Sequence, residues 1–240
     1  MNAYEVKSLS DYLRDNCYPG RGVLIGRSPD GKKAVFAYFI MGRSENSRNR
    51  IFVEKGDELV IHPFDASKVS DPSLIIYSPV RTQGDRIVVT NGDQTDTICE
   101  FLAAGRTFED ALETRSFEPD APNYTPRISG MLCFLCIGYR YKLSILKSLD
   151  ADGAACTRQT FAYQSVPGLG HMIHTYSGDG DPLPSFGGEP VRIVIPDSLD
   201  ELADELWSSL DAGNKVSLYV RHIDLDSGKT ESRLFNTHTL

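Results

Sequence analysis

The sequence of 240 residues has only five cysteines and one tryptophan. It also lacks any run of about 18 apolar residues, which argues against a membrane-spanning helix. An odd, small number of cysteines does not suit the disulfide framework of a secreted domain. The residues after Met1 supply neither a cationic leader nor an apolar signal core. These absences predict a cytoplasmic protein with no membrane partner.

Positive charge is scarce as well. The chain carries 25 Lys and Arg against 33 Asp and Glu, a net charge of −8, which argues against a general nucleic-acid binder. Residues 1–50 nevertheless carry nine Lys and Arg and five Asp and Glu, a local net charge of +4. A compact basic patch in an acidic body suits one small anion, although chance clustering of solvated surface charge explains it equally well.

Composition is ordinary for a globular protein, with 40% hydrophobic and 24% charged residues. The length allows one large domain or two small ones. We find no internal repeat, low-complexity segment or linker, so we expect a single domain over residues 1–240.

Short apolar runs separated by turn residues predict a chain dominated by strands. We expect them at residues 23–26, 34–40, 59–62, 73–77, 86–90, 154–163, 172–176, 215–224 and 230–235, with two more within 128–149. Helices are expected over residues 5–15, from a capping box of Thr97 and Glu100, and from Ser198, three residues before Glu201, to Gly213. Helices after both blocks of antiparallel-looking strands predict a two-layer sheet covered by helices.

The densest polar run follows an apolar strand at residues 42–50 and contains Arg43, Arg48 and Arg50, with Ser44 and Asn49 between them. Three guanidinium groups so close in sequence repel one another unless solvent or a shared anion separates them. Because the planar guanidinium matches phosphate oxygens, a phosphate site is one interpretation. A solvated hairpin loop is the other, and both stay open.

Three further segments combine polar side chains with turn residues. Arg21 stands between two glycines, where backbone could approach a ligand. Asn91 and Gly92 lie between a strand and a helix, whose first amides could hold an anion. Tyr124, Thr125 and Arg127 join a proline-rich loop to an apolar strand. An ordinary turn is the alternative for the first two segments and by itself the better explanation of the second. The third resembles a site more than a tether, with a structural turn as its alternative.

Other motifs give only weak support for a metal or cofactor site. Cys133 and Cys136 have the spacing of half a zinc site without a second pair, and strand alternation predicts buried thiols on opposite faces. His171 and His174 lack the helical spacing of a zinc protease and should also face apart in a strand. No phosphate-binding Gly-Lys-Ser signature or nucleophile elbow occurs, so neither a cofactor nor a metal is expected.

Taken together, these segments resemble the inosine monophosphate cyclohydrolase family, in its stand-alone archaeal form and bacterial relatives. The matching stretches cover about the first 130 residues: Tyr18-Pro19-Gly20-Arg21-Gly22, Gly42-Arg43-Ser44, Arg48-Asn49-Arg50, Ile75-Ile76-Tyr77, Val88-Val89-Thr90-Asn91-Gly92-Asp93, Thr95-Asp96-Thr97 and residues 123–128. The segment 176–190, rich in glycine and proline, is similar to that of the bacterial relatives.

The resemblance implies an α+β fold, the four-layer α-β-β-α sandwich of the N-terminal-nucleophile hydrolases. It also implies a departure from their chemistry, because Met1 and Asn2 offer no Cys, Ser or Thr nucleophile. The family closes the purine ring: 5-formamidoimidazole-4-carboxamide ribonucleotide (FAICAR) loses water and becomes inosine monophosphate (IMP), the last step of de novo purine biosynthesis.

This reaction needs the carboxamide nitrogen held against the formyl carbon, donors for the formyl oxygen, and groups that accept and donate protons. The resemblance therefore implies a catalytic set and a substrate-binding set, with a small ribonucleotide as partner and a homo-oligomer left open. The catalytic set is Arg43, Tyr77, Arg127 and Glu118. The substrate-binding set is Arg21, Ser44, Arg48, Asn49, Arg50, Asn91, Gly92, Tyr124 and Thr125.

Two functions of other classes stay open at this stage. A catalytically silent purine-nucleotide-binding or regulatory protein on the same scaffold would bind IMP without turnover. An amidohydrolase that uses an internal cysteine such as Cys17 would be sensitive to thiol alkylation.

Overall fold

The structure is a computed structural model that describes residues 4–68 and 77–238. The helices are α1 Leu9–Leu13, α2 Glu45–Arg48, α3 Gln94–Ala103, α4 Phe108–Glu113 and α5 Leu199–Ser209, with a 3₁₀ turn at Ala66–Lys68. The strands are β1 Arg21–Arg27, β2 Lys33–Met41, β3 Ile51–Lys55, β4 Glu58–His62, β5 Val80–Gln83, β6 Arg86–Thr90, β7 Arg127–Phe134, β8 Tyr139–Ser148, β9 Cys156–Gln164, β10 Leu169–His174, β11 Val191–Val194, β12 Lys215–Asp224 and β13 Thr230–Asn236.

Within those ranges the strands form two antiparallel sheets. The first has six strands in the order β11-β10-β1-β2-β12-β13, and the second has seven in the order β3-β4-β5-β6-β7-β8-β9. The turn between β1 and β2 depends on local chemistry: the Ser28 hydroxyl donates to Asp30, and Gly31 adopts a φ of 71°. The chain passes from the first sheet to the second through α2, directly after β2.

Three hydrophobic clusters hold the layers together. The inner cluster joins the facing surfaces of the two sheets and includes Val23 of β1 and Ile128 of β7. A second cluster packs α1 and α5 on the outer face of the first sheet. A third packs α3 and α4 on the outer face of the second sheet. Each fully buried Leu contributes roughly 2 kcal/mol of transfer free energy, so Leu202 and Leu206 are a main reason that α5 packs on this sheet.

The structure confirms an α+β fold of two sheets covered by helices. The strands expected around residues 23–26, 34–40, 59–62 and 86–90 are present, as are those within 128–149 and after 154, and the C-terminal hairpin. The expected strand at 73–77 lies outside the described residues apart from Tyr77, which is not in a strand. Sequence patterns missed the short elements, namely α2, α4, β3, β5 and β11.

Two helix boundaries were wrong. Helix α3 begins at Gln94 after the N-cap Asp93, so Thr97 lies inside it and forms no capping box with Glu100. Helix α5 does begin after Ser198, whose side chain accepts from the amide of Glu201, but it ends at Ser209 and not at Gly213. The N-cap geometry is local in sequence, whereas the end of α5 depends on where the chain must turn to enter β12.

The cysteine prediction was also wrong in part. Cys133 is half-buried at the end of β7, and Cys136 is exposed in the turn that follows, because β7 ends at Phe134. The histidine prediction is confirmed. His171 bonds Tyr141 in the space between the sheets, whereas His174 faces α1 and bonds Tyr12.

Candidate active site

Two arginines from separate parts of the chain meet at one end of the space between the sheets. Arg21 begins β1, and strand alternation places its side chain on the same inner face as Val23 and Ile25. Arg50 directly precedes β3 and is only 5% exposed. Their charges interact with each other and with the carboxylate of Glu118. The arginine-rich segment therefore contributes one buried guanidinium to this end of the fold.

Both guanidinium groups have buried nitrogens without hydrogen-bond partners among the residues that the structure describes. These atoms are Nε of Arg21 and both Nε and Nη1 of Arg50. Burial and the neighbouring Arg21 charge lower the pKa of Arg50. Burial also lowers the pKa of Arg21, but Glu118 and nearby tyrosines outweigh it and raise that pKa overall. Buried donors without partners destabilise a fold, and an anionic or carbonyl ligand at this pair would supply the missing acceptors.

Two buried tyrosines complete this end of the core. The hydroxyls of Tyr38, on β2, and Tyr77 lie 3.1 Å apart. Burial raises the pKa of Tyr77, and the charges of Arg21 and Arg50 oppose that effect. Burial also raises the pKa of Tyr38 well above its ordinary value. Both hydroxyls therefore keep their protons at neutral pH, next to two cations.

Glu118 and Thr125 belong to a loop that holds itself in place beside the arginine pair. The amide of Glu118 donates to the carbonyl of Thr125 at 2.9 Å. Asp120 accepts from the amide and the hydroxyl of Thr125. The Thr125 hydroxyl also lies 2.6 Å from that of Tyr176, which follows β10. The loop thus presents the Glu118 carboxylate to Arg21 from a defined position.

The other arginines of the polar run do not reach the buried pair. Arg43 is exposed, pairs with Asp179 and lies over the Tyr18 ring, 5.1 Å from its centroid. Arg48 donates to the carbonyl of Gly42 and to Asn214. Ser44 caps α2, and the side-chain amide of Asn49 exchanges hydrogen bonds with the backbone of Asp65. These residues shape the segment between the sheets.

The segment around Asn91 forms a second cluster of polar side chains, most of which have hydrogen-bond partners. The buried side chain of Asn91 accepts from the amide of Ile128 and donates to the carbonyl of Pro126. Arg127 donates to Asp93 and Gln94 at 2.7 and 2.8 Å. A Cβ added at Gly92 would lie 2.5 Å from an Arg127 nitrogen, so glycine permits this packing.

Tyr124 is half-buried with a φ of 44°, and its hydroxyl donates to the carbonyl of Asp152. It therefore holds the proline-rich loop against the turn after β8.

Sequence reasoning missed Tyr38 and Tyr176. Tyr38 could have been found, because it alternates with Phe36 and Ile40 in an apolar strand and so must face the same side as they do. Tyr176 follows β10 and left no comparable signal. Burial raises its pKa to about 12, and its hydroxyl acts on Arg21.

A cavity of about 600 Å³ lies elsewhere, on the outer face of the second sheet, where Arg86, Arg140 and Lys142 line it beside α4. None of the residues predicted from the sequence as a site lines it. We assign the candidate site to the arginine pair instead, because there the polar groups converge without partners in the described structure.

Comparison with known protein families assigns most of the chain to one family. A family model described as IMP cyclohydrolase-like protein matches residues 18–228 of the chain. The chain belongs to this family. The matched range includes Arg21, Tyr38, Arg50, Tyr77 and Glu118, so all the side chains that meet between the sheets lie within the family region.

Curated archaeal relatives of the IMP cyclohydrolase-like family are similar to about half of the chain. An IMP cyclohydrolase of Methanopyrus kandleri is 35% identical over 115 residues, 47% of this chain and 57% of the relative. That of Methanococcus maripaludis is 35% identical over 117 residues, 47% and 56%. That of Methanothrix thermoacetophila is 34% identical over 119 residues, 48% and 57%. The chain thus spans little more than half the length of the relatives it matches.

No group of three or more His, Cys, Asp or Glu side chains in residues 4–68 and 77–238 is arranged to hold a metal ion. None of the helices in these ranges has the length and apolar character that crossing a membrane requires.

Proposed function

We propose that this chain is an IMP cyclohydrolase, which closes the ring of FAICAR to give IMP and water. The observation that carries the proposal is the buried pair Arg21 and Arg50, which has nitrogens without partners in the described structure and interacts electrostatically with Tyr38 and Tyr77. Family membership and relatives that carry this name support it.

The reaction needs proton transfers and charge stabilisation. The carboxamide nitrogen forms a bond to the formyl carbon, and the formyl oxygen takes up negative charge as it becomes a hydroxyl. This oxygen then leaves as water with one proton from the carboxamide nitrogen and one from the formamide nitrogen. Fixed cationic donors at the oxygen stabilise the transition state, and a rigid pocket keeps the two reacting groups in contact.

The proposed roles follow from burial. Arg21 and Arg50 donate to the formyl oxygen and the carboxamide, since both are held between the sheets. Tyr77 supplies the proton to the formyl oxygen. Glu118, half-buried and electrostatically coupled to Arg21, accepts a proton from the attacking nitrogen. Arg43, exposed at the edge of this region, takes the 5′-phosphate, and phosphate would replace its pairing with Asp179.

The remaining residues predicted from the sequence have supporting roles in this proposal. Ser44, Arg48 and Asn49 keep the segment before Arg50 in place. The wall around Glu118 is formed by the other predicted residues, namely Asn91, Gly92, Tyr124, Thr125 and Arg127.

We also assign the fold to the α-β-β-α sandwich of the N-terminal-nucleophile hydrolases. Helices on the outer faces of two facing antiparallel sheets support this assignment. The proposed reaction takes place in the cytoplasm, in keeping with five free thiols.

Turnover of FAICAR, followed by the absorbance change on ring closure, tests the proposal. We expect turnover by the wild-type chain and a loss of about 100-fold or more in kcat/KM for Arg50→Gln. Arg158→Gln is the matched control, because that guanidinium donates to backbone carbonyls of Leu112 and Arg115 at the outer surface. Binding of IMP without turnover by the wild type would instead identify a silent nucleotide-binding protein.

A further inference from the structure

Tyr38 is a tyrosine at a position where phenylalanine would satisfy every packing contact. It is fully buried in the middle of β2, between Val23 of β1 and Tyr219 of β12. Its ring stacks on Phe52 at a centroid distance of 5.5 Å and an interplanar angle of 25°. The ring therefore has one fixed orientation, and its hydroxyl lies 3.1 Å from that of Tyr77.

Either hydroxyl can donate in this pair, and the charges of Arg21 and Arg50 act on both oxygens. The proposed function decides between the two directions, because it has Tyr77 give its proton to the formyl oxygen. A Tyr77 hydroxyl that donates to substrate cannot also donate to Tyr38, so the bond between the two hydroxyls is donated by Tyr38. With its oxygen accepting from Tyr38, Tyr77 has its own proton free for another acceptor.

We propose that Tyr38 is a positioning residue for Tyr77, whose O–H bond it directs toward the substrate and whose phenolate it stabilises by hydrogen bonding. This inference rests on the proposed cyclohydrolase function. When the Tyr77 O–H bond breaks, the proton goes to the formyl oxygen and the electron pair stays on Tyr77. The hydroxyl of Tyr38 and the charges of Arg21 and Arg50 hold that charge until a proton from a substrate nitrogen returns to Tyr77.

Steady-state kinetics and melting temperatures of Tyr38→Phe, Tyr77→Phe and the double variant test this role. Tyr38→Phe should lower kcat about tenfold, the loss expected for one hydrogen bond to a developing charge, with KM within twofold of wild type. In the double variant, Tyr38→Phe should slow the reaction no further than Tyr77→Phe alone, because Tyr38 acts only through Tyr77.

Tyr141→Phe is the matched control. Tyr141 is equally buried on the inner side of the second sheet, and its hydroxyl bonds His171 and not the arginine pair. It should keep wild-type kcat while its melting temperature falls as much as that of Tyr38→Phe.

Each of four results would overturn the proposal. Wild-type kcat in Tyr38→Phe, or an equal tenfold loss in the Tyr77→Phe background, would show that Tyr38 does not act through Tyr77. A fall in kcat together with a rise in KM, and a larger fall in melting temperature than in Tyr141→Phe, would show that Tyr38 only packs. A wild-type chain without turnover would contradict the cyclohydrolase function itself, and the positioning role with it.

Discussion

The hydroxyl of Thr125 lies 2.6 Å from the hydroxyl of Tyr176, and this contact ties the two sheets together beside the candidate site. Thr125 precedes β7 of the second sheet, and Tyr176 follows β10 of the first. Tyr176 also stacks on Tyr18, over which Arg43 lies. This hydrogen bond and the two ring contacts together link the loop of Glu118 to the exposed Arg43.

Removing that bond should weaken the fold modestly. Tyr176→Phe keeps the stacking on Tyr18 but leaves Thr125 with Asp120 as its side-chain partner. We expect the free energy of unfolding to fall by about 1 kcal/mol, measured by urea denaturation. Thr125→Val should cost more, since it also removes the bond to Asp120. If the two losses add fully in the double variant, the two hydroxyls do not interact.

Arg50 should lower the free energy of unfolding and strengthen ligand binding. Arg50→Met removes a buried cation whose nitrogens lack partners in the described structure, so we expect the free energy of unfolding to rise by about 1–3 kcal/mol. IMP binding, measured by calorimetry, should weaken by at least about tenfold.

Arg221→Met is the control for Arg50→Met. Arg221 is equally buried, but its guanidinium donates to Tyr219 and to the carbonyl of Asp57. This variant should lose stability and keep IMP binding. A loss of stability in Arg50→Met as well would show that Arg50 is a structural cation.

Asn91 should prove to be a structural residue with a large effect. Its side chain bonds the backbone of Ile128 and Pro126 and accepts from Gln94, all in a buried setting. Asn91→Ala leaves these groups without partners, so we expect a loss of about 2–4 kcal/mol in the free energy of unfolding. Thermal denaturation checks this. A stable Asn91→Ala with weakened IMP binding would mean that the amide contacts substrate.

Acid should destabilise the protein through buried histidines, of which His222 is the clearest. Burial, with help from Lys33, lowers the pKa of His222 to about 4, against the opposing effect of Glu231 and Asp30. Below pH 6.5 His222 binds a proton in the unfolded chain, whereas in the folded chain it stays neutral down to about pH 4. Stability is thus unaffected by this group above pH 6.5 and falls between pH 6.5 and 4, by on the order of 2–3 kcal/mol.

His222→Leu removes this linkage. We expect the melting temperature of this variant to fall less steeply than that of the wild type between pH 6.5 and 4.5, with a constant difference above pH 7. Parallel curves across the whole range would show that His222 does not titrate differently in the folded and unfolded chains.

Local patterns in the sequence were enough to predict most strands, the start of α5 and the opposed faces of His171 and His174. Strand alternation and N-caps depend on neighbours a few residues away, so they can be read without the fold. The resemblance in the first 130 residues indicated the family, and the thirteen site residues proposed with it include Arg21, Arg50, Tyr77 and Glu118.

Only the tertiary structure decided which of those residues meet. Arg43, Arg48 and Arg50 look alike in sequence, yet the first is exposed, the second bonds Gly42 and Asn214, and the third is buried. Their surroundings differ because the chain crosses from one sheet to the other at α2. A different distant segment therefore packs against each arginine. The contact between the hydroxyls of Tyr38 and Tyr77 likewise joins residues that are far apart in the sequence. Long-range packing, which composition and spacing do not encode locally, places two cations and two hydroxyls together.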